Sequence, residues 1–240
     1  ASWVDRIGSF DFAQATSSQK PTLYTSTAGH LIGGQPAVYF DGTASMQSTD
    51  ALDLALGNDF TVEAWVRIDS AAAHGTIAAY RGIGTSGWSL VLESMQSKFV
   101  FGFFDNNGAW HEVVGTDAGD LDPGWHHIAG TKHGTSLYLH TDGMVAATSP
   151  CVTTVSAPTV PLAIGAYSDE DADELVYVAI DDLRISDVAR YQAQFDPASE
   201  LVTDPSTKIL LLLADGDGAA TFDEASSVTF DLQGVTWTPG

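Results

Sequence analysis

The sequence predicts an all-β fold, an antiparallel sandwich or barrel, and three observations carry that prediction. Residues 58–69 alternate strictly: Phe60, Val62, Ala64, Val66 and Ile68 take one face, and Thr61, Glu63, Trp65 and Arg67 take the other. Successive side chains of a strand point to opposite faces, so this segment is a strand with one face in a core and the other half-buried. Residues 124–143 hold two more strands around Lys132-His133-Gly134-Thr135, where Gly134 is free to take positive φ, and close on the turn signal Asp142-Gly143. Finally, strands do not alternate with helices of about ten residues or more, which argues against a doubly wound α/β fold.

The remaining elements show the same punctuation. A strand over 38–40 ends at Asp41-Gly42. Strands over 88–93 and 98–104 come next, the second closing on Asp105-Asn106-Asn107-Gly108. Segments 161–165, 176–184 and 208–213 complete the set. Short strands rich in Val, Ile, Thr and aromatics at regular spacing are the pattern of a sandwich or barrel. Helix is confined to one turn over 51–56 and a short helix over 186–194, with Ser186 as its N-cap.

Five of these segments, in this order, resemble a laminin G-like domain of the concanavalin A-like lectin/glucanase superfamily: Phe40-Asp41-Gly42, 59–66, 124–129, 180–184 and 191–197. The ending 208–218, with Phe222-Asp223, resembles a closing strand of bacterial and phage members. The resemblance spans nearly the whole chain. It implies a jelly-roll β-sandwich of two curved antiparallel sheets, one concave and one convex, with the first and last strands side by side. It also implies a structural Ca²⁺ on the convex side, held by Asp41, the Gly42 carbonyl and Asp181. Two carboxylates from distant segments repel unless a cation bridges them, and Ca²⁺ prefers such oxygens. The competing reading is an Asx turn at Asp41 and backbone hydrogen bonds at Asp181.

The 240 residues are expected to form one domain, 1–240, since sandwiches of this size often do. With 44% hydrophobic and 10% aromatic residues the chain can bury a sizeable core. No segment approaches the ~18 apolar residues of a membrane span. No signal peptide is visible at the start, and the expected setting is extracellular, a cell surface or a virion. Nine basic against 31 acidic residues give a formal net charge of −22. That disfavours nucleic acid and anionic lipid, because phosphate binding needs clustered Lys and Arg. It suits solubility, and calcium binding equally. Cys151 is alone, so neither an intrachain disulfide nor a cysteine zinc site can form. The acidic stretch 169–174 reads as a solvated loop, without the glycine and the twelfth-position Glu of an EF-hand, and 215–217 as a similar loop whose glycine serves tight turning; either could bind calcium weakly.

Catalytic signatures are missing. A retaining glycosidase of this superfamily needs alternating carboxylates on one strand, about 5 Å apart. Glu63, Glu93 and Glu112 are isolated, and Arg67 on the same face is the expected ion-pair partner of Glu63. A lyase would draw its base and its cation from Arg81, His111, His127, His140 and Tyr138, which come from different strands. His126 and His127 point to opposite faces, and His127, His133 and His140 lack zinc spacing, so the histidines read as structural. Binding remains. Sugars stack their C–H faces on aromatic rings, with polar groups taking the hydroxyls. The ligand-binding candidates are Trp110, His111, Trp88, Tyr80 and Arg81, with Tyr167 beside them. Trp110 is either presented for binding or folded back over the sheet edge, the commoner fate of a large aromatic. Trp65 and Trp125 read as packing.

The leading expectation is therefore a non-catalytic recognition or adhesion domain that binds a glycan. The first alternative is a structural surface module making protein contacts, such as a phage-fibre or virion-decoration domain, for which an oligomer would be natural. The second is a polysaccharide lyase or glycoside hydrolase.

Overall fold

The computed structural model describes residues 2–4, 11–13, 16–24, 37–48, 56–68, 75–82, 86–93, 98–115, 123–157, 160–167 and 175–212. They form two eight-stranded sheets. The first runs β1 (Ser2–Val4), β2 (Asp11–Ala13), β5 (Met46–Ser48), β14 (Ala163–Ile164), β7 (Gly75–Gly82), β8 (Ser86–Glu93), β9 (Lys98–Phe104) and β10 (Trp110–Val114). The second runs β13 (Met144–Pro150), β12 (Ser136–Thr141), β11 (Gly124–His133), β6 (Phe60–Ile68), β15 (Tyr177–Ser186), β4 (Ala37–Asp41) and β3 (Thr22–Tyr24), with β16 (Thr207–Leu211) also paired to β15. The pairings are antiparallel throughout, as expected.

The core lies between the sheets and reflects the alternation. β6 contributes Phe60, Val62, Ala64, Val66 and Ile68, while β8 and β9 contribute Trp88, Leu90, Phe99, Phe101 and Phe103. Phe60 meets Phe101 across the layers at 5.7 Å, edge to face. Gly130 of β11 is where Phe101 comes closest to the opposite backbone, and a Cβ there would collide with the phenyl ring.

One break in the alternation shapes the outer face of the second sheet. On β15, Ile180, Leu183 and Ile185 all enter the core, which strict period two forbids. The register explains it. Asp181 faces Trp65 while Arg184 faces Glu63, so β15 carries one extra residue against β6. Asp182 takes φ 45° in this bulge, and its carboxylate accepts the Leu201 N–H at 2.8 Å. A bulge re-aims the side chains beyond it. Here it returns Arg184 to the outer face.

Two expectations are corrected, and a third, the pairing of the chain's first and last strands, falls partly outside the described residues, which end at 212. The helix over 186–194 is absent: Ser186 ends β15 and an irregular segment comes after it. The Arg190 N–H that a helix would donate to the Ser186 carbonyl goes instead to Thr61 Oγ1 at 2.9 Å, and the same hydroxyl donates to the Val188 carbonyl. The sheet competes successfully for the backbone. The one helical piece among the described residues is a 3₁₀ turn, Ser17–Gln19. Nor do the first and last described strands lie side by side. β1 pairs β2 in the first sheet, and β16 pairs β15 in the second, beyond the point where β4 leaves that edge free. Finally, Glu63 does not pair with Arg67; its cation is Arg184. The turn over 51–56 falls almost wholly outside the described residues, as do the acidic stretches 169–174 and 215–217.

Candidate functional site

The outer face of the first sheet gathers an aromatic group around Arg81. Tyr80, Trp88, Phe101, Phe103 and Val113 face the core, so their neighbours along the strands face outward. Arg81 of β7, Gly102 and Phe104 of β9, and Trp110 of β10 therefore share the outer face, with Trp110 registered against Phe104. The Arg81 guanidinium carbon lies 4.8 Å from the Phe104 ring centroid, 5.1 Å from that of Trp110 and 4.7 Å from that of Tyr167. A guanidinium at this range is held by ring quadrupoles.

Trp110 lies folded over the sheet. Gly102 makes room for it, since a Cβ there would collide with the indole and with the His111 carbonyl. Phe104 packs on the indole at 4.9 Å, and Nε1 donates to Glu112 Oε2 at 2.7 Å. The ring is half-buried and fixed in orientation, with an exposed carboxylate at its edge.

The other expected ligand residues divide differently. Trp88 and Tyr80 are core residues, at 0% and 1% exposure, so they bind nothing from solvent. Their position on the register, opposite each other and beside Phe103, turns them inward. His111 faces away from Trp110 and supports the turn before it. Its Nε2 lies 3.0 Å from Asp105 Oδ2, and Asp105 Oδ1 accepts the Asn107 and Ala109 N–H groups. The His111 hydrogen bond, with those from Ala109 and Asn107, holds the Asp105 carboxyl below its ordinary range.

The residues expected to hold calcium are not brought together. Asp41 is exposed and faces Tyr177 across the ladder. Asp181 is buried four residues further along β15, roughly 13 Å at strand rise. Asp41 Oδ1 accepts the Thr43 N–H and hydroxyl, an Asx turn, and Asp181 Oδ1 accepts the Asp182 N–H. Among the described residues no group of three or more His, Cys, Asp or Glu could hold a metal ion. The lyase set is also dispersed. Arg81 stands on the first sheet, and His127, His140 and Tyr138 on the outer face of the second.

That second outer face carries the cluster sequence reasoning missed. Glu63, His127 and Thr131 are 0% exposed although they point away from the core. The irregular segment 187–204 lies across them. Arg184 Nε and Nη2 both stand 2.8 Å from Glu63 Oε1. His127 Nε2 is 3.1 Å from Glu63 Oε2, which also accepts the Tyr191 hydroxyl at 2.8 Å. Arg190 grips Asp204 through two bonds of 2.7 Å. Burial alone would raise the Glu63 carboxyl; the bonds from His127 and Tyr191 and the Arg184 charge outweigh it and hold it low. Burial and the Glu63 charge push the Tyr191 phenol well up. With every acceptor spent inward, Glu63 has no free face for a substrate. A signal existed in the sequence: the odd spacing of Ile180, Leu183 and Ile185 marks the bulge that aims Arg184 at Glu63.

Comparison with known proteins matches this architecture. The profile of laminin G-like domains described as the concanavalin A-like lectin/glucanases superfamily matches residues 40–195, and the chain belongs to that family. No curated protein sequence matches it. Among solved structures it is similar to domain 4 of AbnA, an extracellular GH43 arabinanase from Geobacillus stearothermophilus, in complex with arabinotriose. The TM-score there is 0.56 at 16% identity, over 76% of this chain and 84% of that one. A candidate carbohydrate-binding protein from Bacteroides ovatus gives 0.56 at 18% identity, over 81% of this chain and 57% of that one. Domains LG4-5 of the mouse laminin α1 chain give 0.50 at 16% identity, over 70% of this chain and 47% of that one. The chain thus spans about half the length of several structures it matches. Among the described residues no helix is long and apolar enough to cross a membrane.

Proposed function

We propose that this domain is a non-catalytic recognition module that binds carbohydrate at the Arg81–Trp110 platform. The observation that carries the reading is the half-exposed Trp110 indole, clamped over Gly102 between Phe104 and Arg81 with the Glu112 carboxylate at its edge. A preoriented ring with polar groups at its rim is what a sugar's C–H face and hydroxyls need, and preorganisation lowers the cost of binding. The fold shared with a domain crystallised with arabinotriose supports the ligand class and makes arabino-oligosaccharides the first probe. An extracellular or surface setting fits the same neighbour and the acidic composition.

The test is calorimetric binding to a panel of neutral oligosaccharides by the native chain and by Trp110→Ala. Trp and Arg dominate binding hot spots, so the substitution is expected to weaken binding by roughly 2 kcal/mol, about thirtyfold. Equal binding by the variant would remove the platform as the site. No binding by the folded native chain to a broad array would favour a structural module. A repeat in EDTA addresses calcium: a fall in melting temperature would mean that a bound cation stabilises the fold, and its loss in Asp41→Ala would place that cation at the Asp41–Gly42 turn.

A further inference from the structure

The segment 187–204 is fastened to the second sheet mainly by side-chain bonds, with a backbone bond at Phe195 and no strand ladder of its own. The Phe195 N–H donates to the Gly143 carbonyl at 3.0 Å, the Trp65 Nε1 to the Ala198 carbonyl at 3.0 Å, and Arg184 Nη1 to the Val202 carbonyl at 2.8 Å. At its centre Tyr191 and Phe195 stack at 3.7 Å, 6° from parallel. Two buried imidazoles flank that stack. His127 of β11 lies 6.2 Å from Tyr191 and 5.6 Å from Phe195. His140 of β12 lies 6.1 Å and 5.5 Å from the same rings. Both histidines are 0% exposed.

The fixed charges around them are already paired. β6 supplies Glu63, β15 supplies Arg184, and the segment itself supplies Arg190 and Asp204. That is two carboxylates against two guanidiniums; Asp182 of β15 is spent on the Leu201 N–H, Asp187 is paired with Lys208, and Asp196 and Glu200 are exposed. Asp142, at the turn after β12, is already taken by the His126 ring at 2.8 Å and the His127 N–H at 2.9 Å. Tyr138 of β12 offers His140 only a stacked ring at 6.3 Å. His127 Nδ1 has no hydrogen-bond partner. Neither ring nitrogen of His140 has a partner, so a proton there adds a buried charge that no carboxylate touches, and an unmatched buried charge is costly.

We propose that segment 187–204 is an acid-released latch: protonation of His140 frees it from the second sheet while the sandwich core and the Arg81–Trp110 platform persist. Burial lowers the His140 pKa from 6.5. The latched form therefore binds fewer protons than the open form. Its hold is complete above about pH 6.5 and weakens as pH falls through that value. Glu63 and Asp204 are held below the carboxylate range by their cations and hydrogen bonds. They stay charged to below about pH 4.5, so the window between about 6.5 and 4.5 belongs to His140.

The test is hydrogen exchange on the native chain from about pH 7.5 to 5, corrected for intrinsic rates. The amides of Arg190, Phe195 and Leu201, bonded to Thr61, Gly143 and Asp182, report the latch, and those of β6 and β11 report the core. Protection of the three latch amides is expected to fall by about tenfold or more per pH unit lost, with β6 and β11 unchanged. His140→Leu, which cannot titrate, is expected to hold the latch to lower pH. Constant protection across the range overturns the proposal, as does core opening in step with the latch. An unshifted midpoint in His140→Leu removes His140 as the trigger. If that variant does not fold, a native-chain His140 ring titration that fails to track latch exchange overturns it equally.

Discussion

The two outer faces of the sandwich obey the same alternation and end up with opposite roles. On the first, Arg81 is held by three rings and Trp110 lies on Gly102, half in water. On the second, Arg184 is held by Glu63 under a strap of irregular chain and reaches almost no water. Aromatic faces can hold a cation and still meet a ligand. A carboxylate whose lone pairs are all spent inside the protein cannot. The difference is thus between a face built for contact and a face built for fastening, and substitutions should separate them.

The largest effect is expected from Glu63→Ala. It leaves Arg184 and Arg190 unmatched under the strap, and breaking a buried pair this way costs roughly 3–5 kcal/mol. Urea unfolding measures it, and sugar binding by the folded fraction should be unchanged. Tyr191→Phe removes one hydroxyl from the same carboxylate and is expected to cost about 1.5–3 kcal/mol, the range for a hydrogen bond to a charged group. Gly130→Ala, which drives a methyl into Phe101, should cost roughly 1–3 kcal/mol without touching either face. The smallest stability change is expected from Trp110→Ala, about 1 kcal/mol for a partly exposed aromatic and cation–π contact. Sugar binding, by contrast, should fall most in this variant. If Trp110→Ala unfolds the domain while Glu63→Ala spares it, the assignment of the two faces is reversed.

Acid sharpens the same contrast. Glu63 and Asp204 have lowered native pKa values. Their contribution is present above the ordinary carboxylate range and lost as pH falls through the lowered values. Melting temperature should therefore drop below about pH 4.5 in the native chain, and less steeply in Glu63→Ala.

Much of this was legible in the residues, and the failures have specific causes. The alternation over 58–69 located β6 and its core face, and the two turn signals located the β11–β12 hairpin and its exit. Folding back of Trp110 was the commoner expectation and is what occurs. Trp88 and Tyr80 were misjudged because a strand's parity shows which residues share a face but not which face is inside. Phe104 went unmarked because its tie to Trp110 runs through the β9–β10 register, whereas Glu112 is the same-face neighbour of Trp110 two residues on. Glu63 was given Arg67, its neighbour in sequence, when its cation stands 121 residues away.

By itself, then, the sequence determined the strands, their turns and the pairing of side chains by face, because period two and turn geometry are local properties. Tertiary structure alone decided that Tyr80 and Trp88 met the core, which outer face stayed partly open and which was sealed. Those outcomes depend on registers between distant strands, and on a single bulge at Asp182 that shifts the side chains of β15 by one position.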